Sequence, residues 1–383
     1  MCCATKRDFK AMVKNIVFHV SSARAIGGGE RIAVALSRGL KDTYDFMILA
    51  PAGDYFRECN QRGYRTCSLG SGAFFSSIKN LYVLVVQYKP SIIHCHGTRA
   101  AVWGRLVLIL IRKSHRPCLV YTVHGFHAAR TRTLKARITL LLEHFLNRWA
   151  DSIVAVSPSD KKELIRHYGS GKIRRIANGI SLLSKSSGEN YSSQESGRLI
   201  VGSIARLEFP KDFTTLIHAF KLVLKVNPKA ELHIVGSGSL EGDIRKQIRE
   251  CGLGRAVFLL GFQSDIASFL SRCDVIVLSS RWEGMPLVLL EAGMASRPVI
   301  GSNVPGICDS ILDGETGFFF RFGDPQDLAD KICNFSNVEC CRVMGQNNYA
   351  YISKNFSEQT MLQKYADLYT DMLRQMALSQ ENQ

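Results

Sequence analysis

Short apolar runs alternate with longer stretches of helical period along most of this chain. In the first half, the apolar runs 16–20, 46–50, 92–95, 119–123 and 152–156 predict strands. Between them, apolar residues recur every three or four positions over 30–40, 76–88, 98–111, 134–149 and 159–167, which predicts helices. Ser157-Pro158-Ser159-Asp160 supplies capping chemistry for the last of these. The pattern breaks over 184–197, a polar stretch of Ser, Gly, Asn, Gln and Glu that reads as a linker. It restarts with strands at 199–204, 230–235, 257–260, 275–278, 298–301 and 317–320. The accompanying helices fall at 212–226, 240–251, 265–271, 286–295, 325–334 and 357–376. Strand–helix alternation implies parallel βαβ units. The expected fold is α/β, with two doubly wound Rossmann-like domains facing each other across a cleft. The expected boundaries are 1–187, 188–360, and a final helix in 361–383 that packs back on the first domain. Ligands of such sheets bind at the carboxyl ends of the strands.

The densest chemistry lies in 280–291, Ser-Arg-Trp-Glu-Gly-Met-Pro-Leu-Val-Leu-Leu-Glu, between a strand and a helix. Glu283 and Glu291 stand eight residues apart. Pro286 suits the first helical turn, where its missing N–H is no loss. The amides that follow form an anion site backed by the helix dipole. Carboxylates for hydroxyls on either side of an anion-binding helix start suit a nucleotide-sugar. Arg206 and Lys211 follow the first strand of the second half and can neutralise a diphosphate leaving group. Their alternative is a pair of surface cations in a loop. His124 ends the strand 119–123, where it can meet a sugar hydroxyl, with His94, His96 and His127 as competitors. His94-Cys95-His96 invites a metal reading, which is set aside because strand residues alternate between faces. No Asp-x-Asp tripeptide occurs. Metal: none, and no cofactor, is the expectation. Gly27-Gly28-Gly29 ahead of a helix allows close approach to a phosphate or acceptor sugar. Gly236-Ser237-Gly238 with Gly242 falls one residue out of the dinucleotide fingerprint and reads as a turn lining the nucleotide.

Size and charge narrow the setting. At 383 residues, two domains are the default. No apolar run reaches the roughly 18–20 residues of a membrane span. The segment 1–14 carries Lys6, Arg7, Lys10 and Lys14 without an apolar core, so no cleavable signal is expected. Twelve scattered Cys without a Cys-x-x-Cys pair read as reduced thiols of a cytosolic protein. The net charge of +16 is uneven: residues 1–187 hold 30 basic and 10 acidic residues, and 188–383 hold 19 and 23. Between Glu58 and Glu143 there are 13 basic residues and no acidic one. That points to a solvated basic face or to a polyanion such as anionic lipid or a lipid-diphosphate carrier. No nucleic-acid signature accompanies it.

Taken together, Glu283-x7-Glu291, Arg206 with Lys211, the first glycine loop, Thr-Val-His-Gly around His124, Asn178-Gly179-Ile180 and Asp313-Gly314-Glu315-Thr316-Gly317 resemble the retaining glycosyltransferases of family 4. The resemblance spans roughly 14–375. It implies the GT-B fold and transfer of a hexosyl or N-acetylhexosaminyl group from a nucleotide-sugar, with retained configuration and no required metal. The implied acceptor is a glycan or lipid-diphosphate-linked sugar of bacterial surface polysaccharide (capsule or lipopolysaccharide), bound by the first domain. It implies Glu283 on the donor sugar, Glu291 on the ribose, Gly284, Met285 and the amides of Leu287 and Val288 around the diphosphate, and His124 on the sugar. Two departures bear on the donor: Asp212 follows Lys211 where relatives have Gly, and Ser302-Asn303-Val304-Pro305-Gly306 replaces Gly-Gly-x-Pro-Glu, leaving Asp309 nearest the expected acid. The expected location is cytoplasmic and peripheral on the inner membrane, docked by the basic stretch 130–149. The alternatives are a nucleotide-sugar epimerase, a non-catalytic partner subunit and, more distantly, an NAD-linked dehydrogenase.

Overall fold

Parallel pairing of the apolar runs builds two sheets in the computed structural model, which describes residues 14–126, 134–181 and 197–381. The first sheet holds β1 (Asn15–Ser21), β2 (Tyr44–Ala50), β3 (Thr66–Ser68), β4 (Ile92–His96), β5 (Cys118–Val123), β6 (Ser152–Ala155) and β7 (Ile173–Arg175). Their order is β3-β2-β1-β4-β5-β6-β7. The second holds β8 (Ile200–Ile204), β9 (Glu231–Val235), β10 (Val257–Leu259), β11 (Val275–Leu278), β12 (Val299–Ser302) and β13 (Gly317–Phe320), in the order β10-β9-β8-β11-β12-β13. Strand order therefore reverses beside β1 and beside β8, so each sheet has its own switch point, β1/β4 and β8/β11. Two parallel α/β Rossmann-like sheets are what the alternating pattern predicts. The three-residue strands β3 and β7 were below its reach.

The second sheet shows why its strands are apolar without interruption: both faces are covered. Val275 and Val277 of β11 enter one core with Leu216, Phe220 and Val223 of a helix at Phe213–Val226 and Leu328 of another at Pro325–Cys333. Ile276 and Leu278 point the other way, onto Phe269, Leu289 and Ala292. Each fully buried side chain of this size contributes roughly 1.5–3 kcal/mol relative to exposure.

Contacts divide the chain into two units. The described parts of Met1–Tyr121, Arg148–Asp151 and Leu368–Gln383 form one, and those of Thr122–Asn147 and Ser152–Asp367 the other. The expected junction at 187/188 and most of the linker 184–197 lie outside the described residues. The first unit holds the helices α1 (Gly28–Gly39), α2 (Asp54–Gln61), α3 (Phe74–Tyr88) and α4 (Thr98–Leu110). The final helix runs over Glu358–Glu381, longer than expected, and its residues from Leu368 belong to the first unit. There the Tyr369 hydroxyl lies 2.6 Å from His94 Nδ1, and Cys118 Sγ donates to the Met372 carbonyl at 3.7 Å.

One expectation fails on simple geometry. His94 and His96 are two residues apart on β4, and residues two apart share a face. Their ring centroids are 4.2 Å apart, and His19 Nδ1 of β1 lies 2.8 Å from His96 Nε2. All three are buried, and their ligand-type nitrogens lie within 4.8 Å of one another. The three rings therefore meet on one face of the sheet, and strand alternation does not separate His94 from His96. Burial pushes the His19 pKa down to about 3, which keeps that ring neutral.

Every cysteine among the described residues is a free thiol, and burial pushes Cys95, Cys118 and Cys273 up to about 12. No helix among the described residues is long and apolar enough to cross a membrane.

Candidate functional site

The loops that leave β8 and β11 flank the switch point of the second sheet, and they carry the predicted chemistry. After β8 the chain runs through exposed Arg206 to a single 3-10 turn, Phe209–Lys211. After β11 it runs through Ser279 and Ser280 to Glu283 and then into a helix at Leu287–Met294, called α7 here after α5 (Leu134–Leu146) and α6 (Pro158–Tyr168). Pro286 is the residue before the first helical turn rather than inside it, with extended backbone. Backbone and side chains tie the two loops together. Arg281 N donates to the Pro210 carbonyl at 2.8 Å, and Ser279 Oγ to the Lys211 carbonyl at 2.8 Å. Arg281 pairs with buried Asp212 at 3.1 Å and stacks over Phe209 at 4.5 Å.

These ties bring Lys211 and Glu283 together. Lys211 Nζ donates to Glu283 Oε1, and Ser280 Oγ donates to the same oxygen at 2.7 Å. The two side chains are only 18% and 13% exposed, so their attraction is screened less than that of a surface pair. Arg206 is not brought to this pair; it is exposed and makes no ion pair among the described residues. Asp212, which replaces the family's glycine, has φ +48 and accepts from Thr215 Oγ1 at 2.9 Å. The departure thus serves a side-chain bond from Thr215 and the Arg281 pair.

Four glycines fix the backbones of the two loops, two beside Glu283 and two beside the loop that leaves β8. A Cβ on Gly306, at φ +88, would lie 2.3 Å from the Glu283 carbonyl oxygen and 2.6 Å from that of Gly284. A Cβ on Gly284 would lie 2.6 Å from the His124 carbonyl carbon and 2.7 Å from Gly125 N. The backbone of His124 therefore sits directly against Gly284. Gly236 and Gly238 are required by the Ala205 and Leu207 carbonyls, which a Cβ would meet at 1.9 and 2.4 Å. That close approach explains both glycines without a bound nucleotide.

His124 retains partial exposure, yet desolvation pushes its pKa down to about 4, so the ring is neutral at pH 7. Asn178 Nδ2 donates to the Met285 carbonyl at 3.0 Å, which holds the turn before α7. Glu291 is buried in α7, one turn past Leu287. Asp309, nearest the acid expected of the family, accepts from Ser159 N at 3.2 Å, at the start of α6. In the other unit, Gly27 precedes α1, which begins with Gly28 and Gly29. Glu30 reaches back to Gly27 N at 3.0 Å and accepts from Ser21 Oγ at 2.7 Å. His127, Arg130 and Arg132 lie outside the described residues, as does the side chain of Lys135. Sequence reasoning missed Ser280 and Gly306; a hydroxyl three residues before Glu283 was the available signal for the first.

Comparison with known proteins places this arrangement. Residues 26–182 match the family described as Glycosyltransferase Family 4, and residues 189–351 match Glycosyl transferases group 1. An Escherichia coli protein, UDP-Gal:alpha-D-GlcNAc-diphosphoundecaprenol alpha-1,3-galactosyltransferase, is 28% identical over 310 residues, covering 78% of this chain and 79% of that protein. The Staphylococcus aureus capsular polysaccharide biosynthesis glycosyltransferase CapM is 27% identical over 319 residues, covering 79% and 83%. Anabaena Alr3699/HepE, solved with UDP and glucose, superposes with a TM-score of 0.81 at 22% identity, covering 93% of this chain and 100% of that one. These matches lend no support to an epimerase. The chain is a glycosyltransferase of family 4, built on the two-Rossmann GT-B fold.

Proposed function

We propose that this chain moves a hexosyl or N-acetylhexosaminyl group from a nucleotide-sugar to a glycan or lipid-diphosphate-linked acceptor, with retention of configuration and without a required metal. The observation that carries the donor half is the Lys211–Glu283–Ser280 constellation at the β8/β11 switch point, immediately ahead of α7. An ammonium has three N–H donors, so Lys211 can hold Glu283 and a phosphate oxygen at once. The first amides of α7, from Leu287 and Val288, have no intrahelical partner and carry the positive end of the helix dipole. Together they offset the charge that builds on the diphosphate as its bond to the anomeric carbon breaks. Arg206, exposed and not paired with Glu283 in this structure, is the second cation this reading assigns to the diphosphate. In this reading Gly284 and Met285 bring backbone against the donor and Glu283 accepts from a sugar hydroxyl. Buried Glu291 meets the ribose, Gly236 borders the nucleotide and neutral His124 hydrogen-bonds the sugar. The glycine loop 27–29 belongs to the acceptor side.

The acceptor class is supported by the names of two relatives: the Escherichia coli one carries a diphosphoundecaprenol-linked GlcNAc, and the Staphylococcus aureus one capsular polysaccharide biosynthesis. Docking to the cytoplasmic face of an anionic membrane fits such an acceptor. Within α5, Ile138, Leu141 and Leu142 are 50%, 71% and 57% exposed, an apolar face beside a basic segment. Radiolabelled nucleotide-sugars, screened for binding and slow hydrolysis, test the donor reading: one or two should bind and release sugar. Binding of none would overturn it. Sedimentation with anionic vesicles at low salt tests docking; a protein left wholly in the supernatant would end that part.

A further inference from the structure

The switch point of the first sheet has chemistry of its own. Ligands of open parallel sheets bind where strand order reverses, and here the loop leaving β1 carries Arg24 and the first turn of α4, one residue beyond β4, carries Arg99. Both guanidinium groups turn onto the loop that precedes α3. Arg24 Nη2 donates to the Ser71 carbonyl, and Arg99 Nη2 donates to the Gly72 carbonyl at 2.8 Å. Two like charges are thus gathered on consecutive carbonyls, and neither has a carboxylate partner among the described residues. With Ser22, Ser71, Gly72 and Ala73 they line a polar concavity.

The scaffold holds these arginines firmly. The Arg24 carbonyl accepts from Tyr55 N at 2.9 Å, and a Cβ on Gly53 would meet that carbonyl oxygen at 2.5 Å. Gly72 has φ +76 and packs on Pro51, while Arg99 lies over the Trp103 ring at 5.4 Å. Two helices, α3 and α4, begin beside the concavity, directly after Ala73 and Gly97. Their first amides add partial positive charge. Each guanidinium has five N–H donors and uses few of them here, leaving the others for phosphate oxygens, which a guanidinium can meet two at a time. The stretch without any acidic residue, from Glu58 to Glu143, contains this loop and Arg99.

We propose that this concavity binds the diphosphate of the acceptor, with Arg24 and Arg99 as its clamps. The inference rests on the transferase reading above and deepens it by naming the residues that recognise the acceptor's charged group. The donor's diphosphate is assigned to Lys211 and α7, which belong to the other unit, so the two anion sites can be tested separately.

The test uses the full chain, its Arg24→Gln, Arg99→Gln and double variants, and no donor in the binding arm. The probes are farnesyl-diphosphate-linked N-acetylglucosamine, the same farnesyl glycoside without phosphates, and inorganic pyrophosphate. Losing one charged clamp should weaken the diphosphate probe about tenfold or more, and losing both should weaken it about a hundredfold. The phosphate-free glycoside should bind equally to all four proteins, and pyrophosphate should compete with the diphosphate probe. In the transfer arm, acceptor KM should rise while donor KM and donor hydrolysis stay unchanged. Equal affinity of all four proteins for the diphosphate probe would overturn the inference, as would equal loss with the phosphate-free glycoside. A wild-type protein that binds the diphosphate probe through these arginines yet neither binds nor hydrolyses any nucleotide-sugar would leave this site standing and refute the donor reading instead.

Discussion

Replacing Gly306 with alanine should disable the site from behind. Gly306 lies in none of the loops that carry Lys211 or Glu283, but its backbone is pressed against the Glu283 carbonyl. The added Cβ would start 2.3 Å from that oxygen, where ordinary contact begins at 3.4 Å. Glu283 or the 302–306 turn must therefore shift by about 1 Å, a displacement that can cost about a hundredfold in rate when it reaches a reacting group. The residue must also hold φ +88 with a side chain, a strain of about 1–3 kcal/mol. Gly314→Ala is the matched control. It has φ +76 with nothing within 4 Å of its Cβ, so it carries the strain without the collision. Steady-state transfer and thermal unfolding should separate the two. Both variants should melt lower, but only Gly306→Ala should lose about a hundredfold in kcat/KM. Wild-type activity in Gly306→Ala, or an equal loss in Gly314→Ala, would refute the placement of Glu283 as a geometry-sensitive group.

Other outcomes follow from the same structure. Ser280→Ala removes a donor to Glu283 Oε1 and should lower kcat/KM by about tenfold, in line with a hydrogen bond to a charged group; a transfer assay at subsaturating donor checks it. Tyr369→Phe removes the hydroxyl beside fully buried His94 and should lower stability by about 1–3 kcal/mol in chemical denaturation while leaving donor binding unchanged. Stability should fall in mild acid. His124 and His19 have folded pKa values of about 4 and about 3, below the ordinary 6.5, so the unfolded chain binds more protons in that window. Each contributes stability that is complete above about pH 6.5 and is lost as pH falls, by up to about 1.4 kcal/mol per pH unit per histidine. Melting from pH 7.5 to 4.5 should show that decline, and a flat profile would contradict it.

What the sequence revealed follows physical lines. Both sheets were legible because strands covered on two faces leave long apolar runs, as β11 does between its flanking helices. The three-residue strands β3 and β7 and the eight-residue helix α2, which buries only Tyr55 and Cys59, are too short for a pattern to be read. Glu283 and Lys211 were legible as residues at strand ends, but their direct pairing depends on the ladder that sets β8 beside β11. Gly284 and Gly306 stand in legible motifs, but the packing that requires them does not show there, because it comes from the backbones of other segments. His94 and His96 were misread through a parity error rather than for want of signal, since a period of two places them together. Arg24 and Arg99 are 75 residues apart and converge only through the β1/β4 crossover.

In the proposed reaction Glu283, held by Lys211 and Ser280, acts on the sugar of a nucleotide-sugar. Glu283→Gln keeps the shape and an acceptor for Ser280 while removing the charge. The decisive measurement is a side-by-side determination of donor affinity and transfer rate in that variant. The account predicts donor binding within about tenfold of wild type and transfer reduced at least about a hundredfold. Transfer at the wild-type rate with normal donor binding would contradict it.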